Sequence, residues 1–178
     1  MVINDLKKQV GIYLGERDTY LLISGKLDIT QTEYALGGKN EISDEKAAEI
    51  INDAKRIHGG YPLQYAVGFT EFMSLKFFVD ESVLIPRPDT ETLVESVISF
   101  ADDKKTYSLL DIGTGSGAVG ISIAHFIKCN AELLDISDKS LDTARKNADY
   151  NGVCAKFTQC DILNEMPDGK YDIIASNP

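Results

Sequence analysis

The residues best suited to chemistry lie in the second half of the chain. Asp111-Ile112-Gly113-Thr114-Gly115-Ser116-Gly117 sets alternating glycines behind a carboxylate, where an apolar run hands over to a helical pattern. Glycines let the backbone turn tightly and approach a ligand without a Cβ in the way, and a helix N-terminus offers unpaired amide donors. Such a loop is built to receive a ligand. Asp135 and Asp161 follow the next two apolar runs, and Asn177-Pro178 follows the last. These positions fall at strand ends, on the rim where open α/β sheets bind ligands.

Two cofactor classes fit the loop taken alone. Gly115-Ser116-Gly117-Ala118-Val119-Gly120 matches the dinucleotide fingerprint, and Asp135 lies 20 residues beyond Gly115. Asp111 argues for the other class, because a carboxylate at the strand end pairs with an ammonium and sits badly beside a pyrophosphate. The acids together favour S-adenosylmethionine, which brings an ammonium and a sulfonium and no phosphate. Asp135 is expected to accept the ribose hydroxyls of either cofactor. Asp161 is placed to accept from an adenine amino group with Ile162 flanking the ring, and a turn-forming role for Asp161 is equally open.

Asn177-Pro178 has the character of a turn starter, and its position on the same rim gives it a second reading. An amide nitrogen is a poor nucleophile because its lone pair is delocalised. An enzyme that methylates one must hold the NH₂ with acceptors and align it to the sulfonium methyl. The side-chain carbonyl of Asn177 and nearby backbone carbonyls are acceptors of that kind.

The elements that must position these groups follow from periodicity. Beyond Tyr107, strand-like runs (107–112, 131–136, 155–159, 171–176) alternate with helical patterns (118–127, 139–150), the signature of a parallel sheet in a doubly wound α/β domain. A helix from Asp89 or Thr90 to about Phe100 precedes them, entered through Pro86-Arg87-Pro88, whose prolines enforce an extended segment. Phe69 to Leu84 reads as a strand pair or an extended linker. The first sixty residues or so read as a helical bundle. Its clearest member runs from Ser43 to His58, capped by Ser43 and stopped by Gly59-Gly60. Shorter helices are expected over Asn4–Leu14 and Thr30–Leu36, separated by polar stretches around Arg17-Asp18 and Ser24-Gly25-Lys26. The expected organisation is a bundle over 1–65, a strand-pair linker over 66–88 and a ligand-binding domain over 89–178.

Composition narrows the partners. The 178 residues carry a formal charge of −10, and 18 of the 28 acidic residues lie beyond Tyr65. That surface repels polyphosphates, which disfavours nucleic acid as the main partner. Cys129, Cys154 and Cys160 match neither a disulfide framework nor a zinc-ligand spacing, so no metal is expected. No apolar run approaches the roughly 20 residues of a membrane span, and a cytoplasmic protein is expected.

On these residues the sequence resembles the HemK (PrmC) family, methyltransferases that modify the glutamine side-chain amide in the Gly-Gly-Gln motif of peptide chain release factors. The resemblance spans the helical bundle, Pro62 to Gly68, Glu71-Phe72, Val83 to Glu91, the loop Asp111 to Gly117, Asp135 and Asn177-Pro178. The segment around Pro86-Arg87-Pro88 is the most family-specific part. The resemblance implies a helical bundle followed by a Rossmann-like class I methyltransferase domain. It implies that Gly113, Thr114, Gly115, Ser116 and Gly117 wrap the methionine end of S-adenosylmethionine, that Asp135 holds the ribose, and that Ile162, after Asp161, lies against the adenine. Asn177 and the carbonyl of Pro178 would position the substrate amide, Arg87 would help shape the entrance, and the bundle would recognise the release factor. The family motif continues as Asn-Pro-Pro-Tyr, so the chain is expected to be a fragment with an incomplete sheet and doubtful turnover. Competing readings are a nucleic-acid amino methyltransferase, a dinucleotide-dependent oxidoreductase, and a fragment that only binds release factor or cofactor.

Overall fold

Capping and apolar spacing build the N-terminal helices. In the computed structural model, which describes residues 1–37, 41–102, 104–165 and 167–178, the chain divides into two units, Met1–Gly68 and Phe69–Pro178. The first unit contains α1 (Ile3–Val10), α2 (Glu16–Leu27), α3 (Gln31–Leu36), α4 (Asp44–His58) and α5 (Leu63–Val67). Thr30 and Glu33 form a reciprocal capping box on α3, and the Ser43 hydroxyl accepts from Lys46 N at the start of α4. Leu6, Val10, Leu22, Ile23, Ile50 and Ala54 meet in one fully buried core. Asp53 is buried beside that core and is paired by Lys26 at 2.7 Å and Arg56 at 3.2 Å. A buried carboxylate without such partners would be strongly destabilising.

The structure corrects the expected helix boundaries here. The polar stretches at Arg17-Asp18 and Ser24-Gly25-Lys26 do not separate helices; they lie inside α2. Glu16 and Asp18 occupy its first turn, where the helix dipole favours acids, and the Ser24 hydroxyl donates to Tyr20 O at 2.6 Å within the helix. Residues 63–67 form a short helix, so the unit ends at Gly68 and not at residue 65.

The second unit opens with a hairpin of β1 (Phe69–Phe72) and β2 (Leu75–Phe78). Its two turn residues, Met73 and Ser74, both take left-handed backbone angles. A tight hairpin turn of this hand requires that, and glycine or asparagine would adopt it with less strain. Glu91 stabilises the turn by accepting from Met73 N at 2.7 Å. Glu91 itself begins α6 (Glu91–Phe100), which follows a single 3₁₀ turn over Pro88–Thr90.

Then β3 (Tyr107–Ile112), α7 (Ala118–Phe126), β4 (Cys129–Asp135), α8 (Asp138–Tyr150), β5 (Ala155–Gln159) and β6 (Ile173–Ser176) complete the unit. The four long-range strands are parallel in the order β5-β4-β3-β6. Their side chains alternate between faces. Leu109, Ala131, Leu133, Ile173 and Ala175 pack with Val94 of α6, Val119, Ile121 and Ile123 of α7 and Ala144 and Ala148 of α8. On the other face Leu110 and Leu134 are covered by Cys160, Ile162 and Tyr171. Glu132 accepts there from Thr158 at 2.6 Å and from Tyr171 at 3.0 Å. Among the described residues no helix is long and apolar enough to cross a membrane.

Close approach of α7 to the sheet depends on Gly120. A Cβ at this position would lie 2.9 Å from Asp111 Oδ2, 3.0 Å from Asp111 Cβ and 3.1 Å from Leu133 Cδ1. An ordinary helical glycine gains up to about 1 kcal/mol on replacement by alanine. Here Gly120→Ala is expected to lose about 1–3 kcal/mol instead, as overpacking does. Urea unfolding reads the sign directly.

Candidate functional site

The rim above β3, β4 and β6 is shaped by one buried carboxylate. Asp111 is 1% exposed, and its Oδ2 accepts from the Thr114 hydroxyl at 2.6 Å and from Gly120 N at 2.9 Å. Those two bonds tie the end of β3 to the loop and to the first turn of α7. Burial nonetheless dominates its titration. Loss of hydration pushes the carboxyl up to about 6, against the two hydrogen bonds, with the nearby negative charge of Asp135 adding to the rise.

The loop itself is held at every turn. Gly113, Gly115 and Gly117 all have positive φ. At Gly117 a Cβ would also collide with Ile121 Cδ1 at 2.4 Å. Thr114 N donates to Leu134 O at 2.9 Å, and Gly117 N to Thr114 O at 2.8 Å. Asp135, at the end of β4, accepts from Gly115 N at 2.8 Å through Oδ2 and from Ser137 N at 2.9 Å through Oδ1. The amides of Gly115 and Gly120 are therefore both given to carboxylates.

A cavity opens over this loop. It is lined by Asp111, Gly113, Thr114, Gly115, Ser116, Ala118 and Val119 beneath, and by Phe72, Leu84, Pro86, Thr90 and Asn177 around it. Among the described residues no Lys, Arg or His lines this cavity, whereas Asp111 does. Asn177 is exposed at the end of β6, and its Nδ2 donates to the Thr90 hydroxyl at 3.2 Å. That bond leaves Oδ1 as the amide's acceptor.

The expected residues are thus brought together in part. Asp111, Gly113, Thr114, Gly115, Ser116 and Asn177 line one cavity; Gly117 and Asp135 are not lining residues, and Asp135 is tied to the lining through the Gly115 amide. Asp161 is turned to its own loop, accepting from Leu163 N at 3.1 Å and Asn164 Nδ2 at 2.7 Å. Ile162 packs against Leu110, Leu134 and Cys160 on the opposite face, and Pro178 is not a lining residue. Arg87 is exposed, with its carbonyl accepting from Thr90 N at 3.0 Å. Phe72, Leu84 and Thr90 had not been singled out as site residues. Their signal was present only as the apolar hairpin and the proline-bounded segment that carries Thr90. Among the described residues no cluster of His, Cys, Asp or Glu is arranged to hold a metal ion.

The elevated titration of Asp111 has a stability consequence. The carboxyl sits at about 6 in the folded chain against 3.8 for an ordinary aspartate, so the folded chain binds the extra proton between those values. Its contribution therefore disfavours folding increasingly as pH rises through that window. Asp111→Asn is expected to remove this decline and to raise the melting temperature relative to the parent chain at pH 7.5, and the difference should vanish near pH 4. Parallel thermal scans across that range test it.

Comparison with known proteins agrees with this architecture. A family model described as the methyltransferase small domain matches residues 89–178, and one described as the PrmC N-terminal domain matches residues 5–68. A release factor glutamine methyltransferase of Lactococcus lactis is 43% identical over 141 residues, which cover 79% of this chain and 52% of the relative. One of Moorella thermoacetica is 35% identical over 171 residues, covering 94% of this chain and 60% of the relative. The chain spans about half the length of the curated relatives it matches. The structure of Pyrococcus abyssi tRNA (uracil-54, C5)-methyltransferase in complex with S-adenosyl-L-homocysteine aligns with a TM-score of 0.50 at 22% identity. That alignment covers 62% of this chain and 28% of the other, a likeness of fold alone. With the sheet order, the glycine loop and the matched spans in agreement, the chain belongs to the methyltransferase small-domain family, with a PrmC N-terminal domain ahead of that module.

Proposed function

We propose that the chain binds S-adenosylmethionine on the Asp111–Gly117 loop and serves methylation of the glutamine side-chain amide in the Gly-Gly-Gln motif of a peptide chain release factor. The observation that carries the cofactor class is Asp111: a carboxylate 1% exposed, lining a cavity whose walls supply no cation. A ligand that satisfies it brings its own positive charge. The names of the Lactococcus and Moorella relatives support the substrate. A substrate of the translation machinery implies a cytoplasmic site of action.

The chain's groups divide the work. When bound, S-adenosylmethionine supplies an electrophilic methyl on a positively charged sulfur. Asp111 attracts the ammonium of its amino-acid end, and the alternating glycines let the backbone approach that end closely. Asp135, while fixing the Gly115 amide, keeps lone pairs for the ribose hydroxyls. Asn177 is held by Thr90 through Nδ2, and its Oδ1 accepts from the substrate NH₂ and orients the nitrogen toward the methyl. Orientation would be the main contribution of these residues, because the substrate nitrogen is a neutral amide whose lone pair must be aligned with the methyl; transfer would break the methyl–sulfur bond, leave neutral S-adenosylhomocysteine and release the amide proton to water.

Calorimetric titration with S-adenosylhomocysteine and with NADH tests the cofactor class. S-adenosylhomocysteine is expected to bind, and to bind more weakly as pH falls through about 6, where Asp111 gains a proton and loses its attraction for the ammonium. Asp135→Ala should weaken it by about ten- to a hundredfold, the scale of a lost charged hydrogen bond. Binding of NADH alone would overturn the reading. A release factor with its Gly-Gly-Gln glutamine replaced should bind the loaded chain more weakly than the unaltered factor, and equal binding would remove the glutamine from the proposal.

A further inference from the structure

Helix α8 carries a polar stripe on its buried side. Ser140 and Asn147, seven residues apart, lie along one face of the helix, and Asn151 caps its C-terminal end. The Ser140 hydroxyl donates to Ser82 O at 3.2 Å, and Asn151 Nδ2 donates to Lys76 O at 3.0 Å. Between them, Asn147 is 0% exposed and makes three hydrogen bonds to parts of the chain remote in sequence. Its Oδ1 accepts from Phe78 N at 2.7 Å, and its Nδ2 donates to Phe78 O at 2.9 Å and to Ser116 O at 2.8 Å. The amide orientation is forced, because the two partner carbonyls can only accept and the Phe78 amide can only donate.

The Ser116 contact matters for the cavity. The peptide between Ser116 and Gly117 is pinned at both ends, its carbonyl by Asn147 and its N–H by Thr114 O at 2.8 Å. Ser116 is 3% exposed and lines the cavity, so a Ser116 carbonyl without a donor would be buried and unpaired. Rotating the peptide to find another donor would break the Gly117 bond and turn the loop. The same side chain ties that loop to β2, and the hairpin that β2 forms supplies Phe72 to the cavity wall.

We propose that Asn147 is a positioning residue: it holds the Ser116–Gly117 peptide in its ligand-receiving orientation and locks the hairpin wall to the loop floor of the cavity. This rests on the reading that the loop receives the amino-acid end of an S-adenosyl cofactor.

Two ligands separate that role from a purely structural one. S-adenosylhomocysteine carries the amino-acid end, and 5′-methylthioadenosine shares the nucleoside but lacks it. For Asn147→Ala the expected result is S-adenosylhomocysteine binding weakened by about tenfold, the scale of a lost buried hydrogen bond, with methylthioadenosine binding within about twofold of the parent. Asn147→Asp preserves volume and the acceptor for Phe78 N while removing the donors to Ser116 O and Phe78 O, and should show the same selective loss if the alanine variant fails to fold. Asn151→Ala, which loosens the same hairpin without touching the loop, should lower the melting temperature and leave the ratio of the two affinities unchanged. Equal weakening of both ligands in the Asn147 variants, or none, overturns the positioning role. A parent chain that binds neither ligand overturns the cofactor reading itself, and the inference with it.

Discussion

Burying the Asp111 carboxylate is the constraint on which the rest of the second unit depends. A charge taken from water must be compensated, and the protein compensates it only halfway: one oxygen receives a hydroxyl and a helix amide. Both donors require unusual backbone. Thr114 reaches Asp111 because the glycines around it curl the chain back, and the Gly120 amide reaches it because that helix position has no side chain. Sheet, loop and α7 are thus assembled around an incompletely neutralised charge.

The same economy separates this loop from the dinucleotide loop it matches by spacing. A pyrophosphate site keeps its helix-terminal amides free for an anion. Here Asp135 takes the Gly115 amide and Asp111, which lines the cavity, takes that of Gly120. The close approach of α7 to the sheet at Gly120 would serve a loop of either kind. Around that floor, α8 works as a polar clamp, its amide side chains giving β2 the hydrogen bonds that a neighbouring strand would otherwise supply.

Much of this was legible in the residues, for reasons that differ by element. The alternation after Tyr107 was readable because buried parallel strands are apolar runs and their helices are amphipathic, and β3 and β5 begin and end where the runs do. Ser43 and the paired glycines bounded α4 through cap chemistry that acts locally. α2 was not legible, because its serine satisfies itself on the preceding turn and its charges sit in its first and last turns, and both look like loop in a sequence. Among the residues that line the cavity, Asp111, Gly113, Gly115 and Asn177 stand out in the sequence by type and position. Asn147 could not, since an asparagine on an amphipathic helix reads as solvent-facing until tertiary packing shows a backbone carbonyl and amide opposite it. Asp161 illustrates the converse: its type and place suited a ligand contact, and the local turn used both of its oxygens.

The claim that a cationic ligand completes the Asp111 site can be measured at the carboxyl itself. Carbon-detected nuclear magnetic resonance of Asp111, titrated in the free chain and in the chain saturated with S-adenosylhomocysteine, reports its proton affinity in each state. The account predicts a free-chain midpoint near 6 that moves well down, toward or below the ordinary aspartate value, when the ammonium is in place. A midpoint that stays where it was, or rises, on saturation would contradict it.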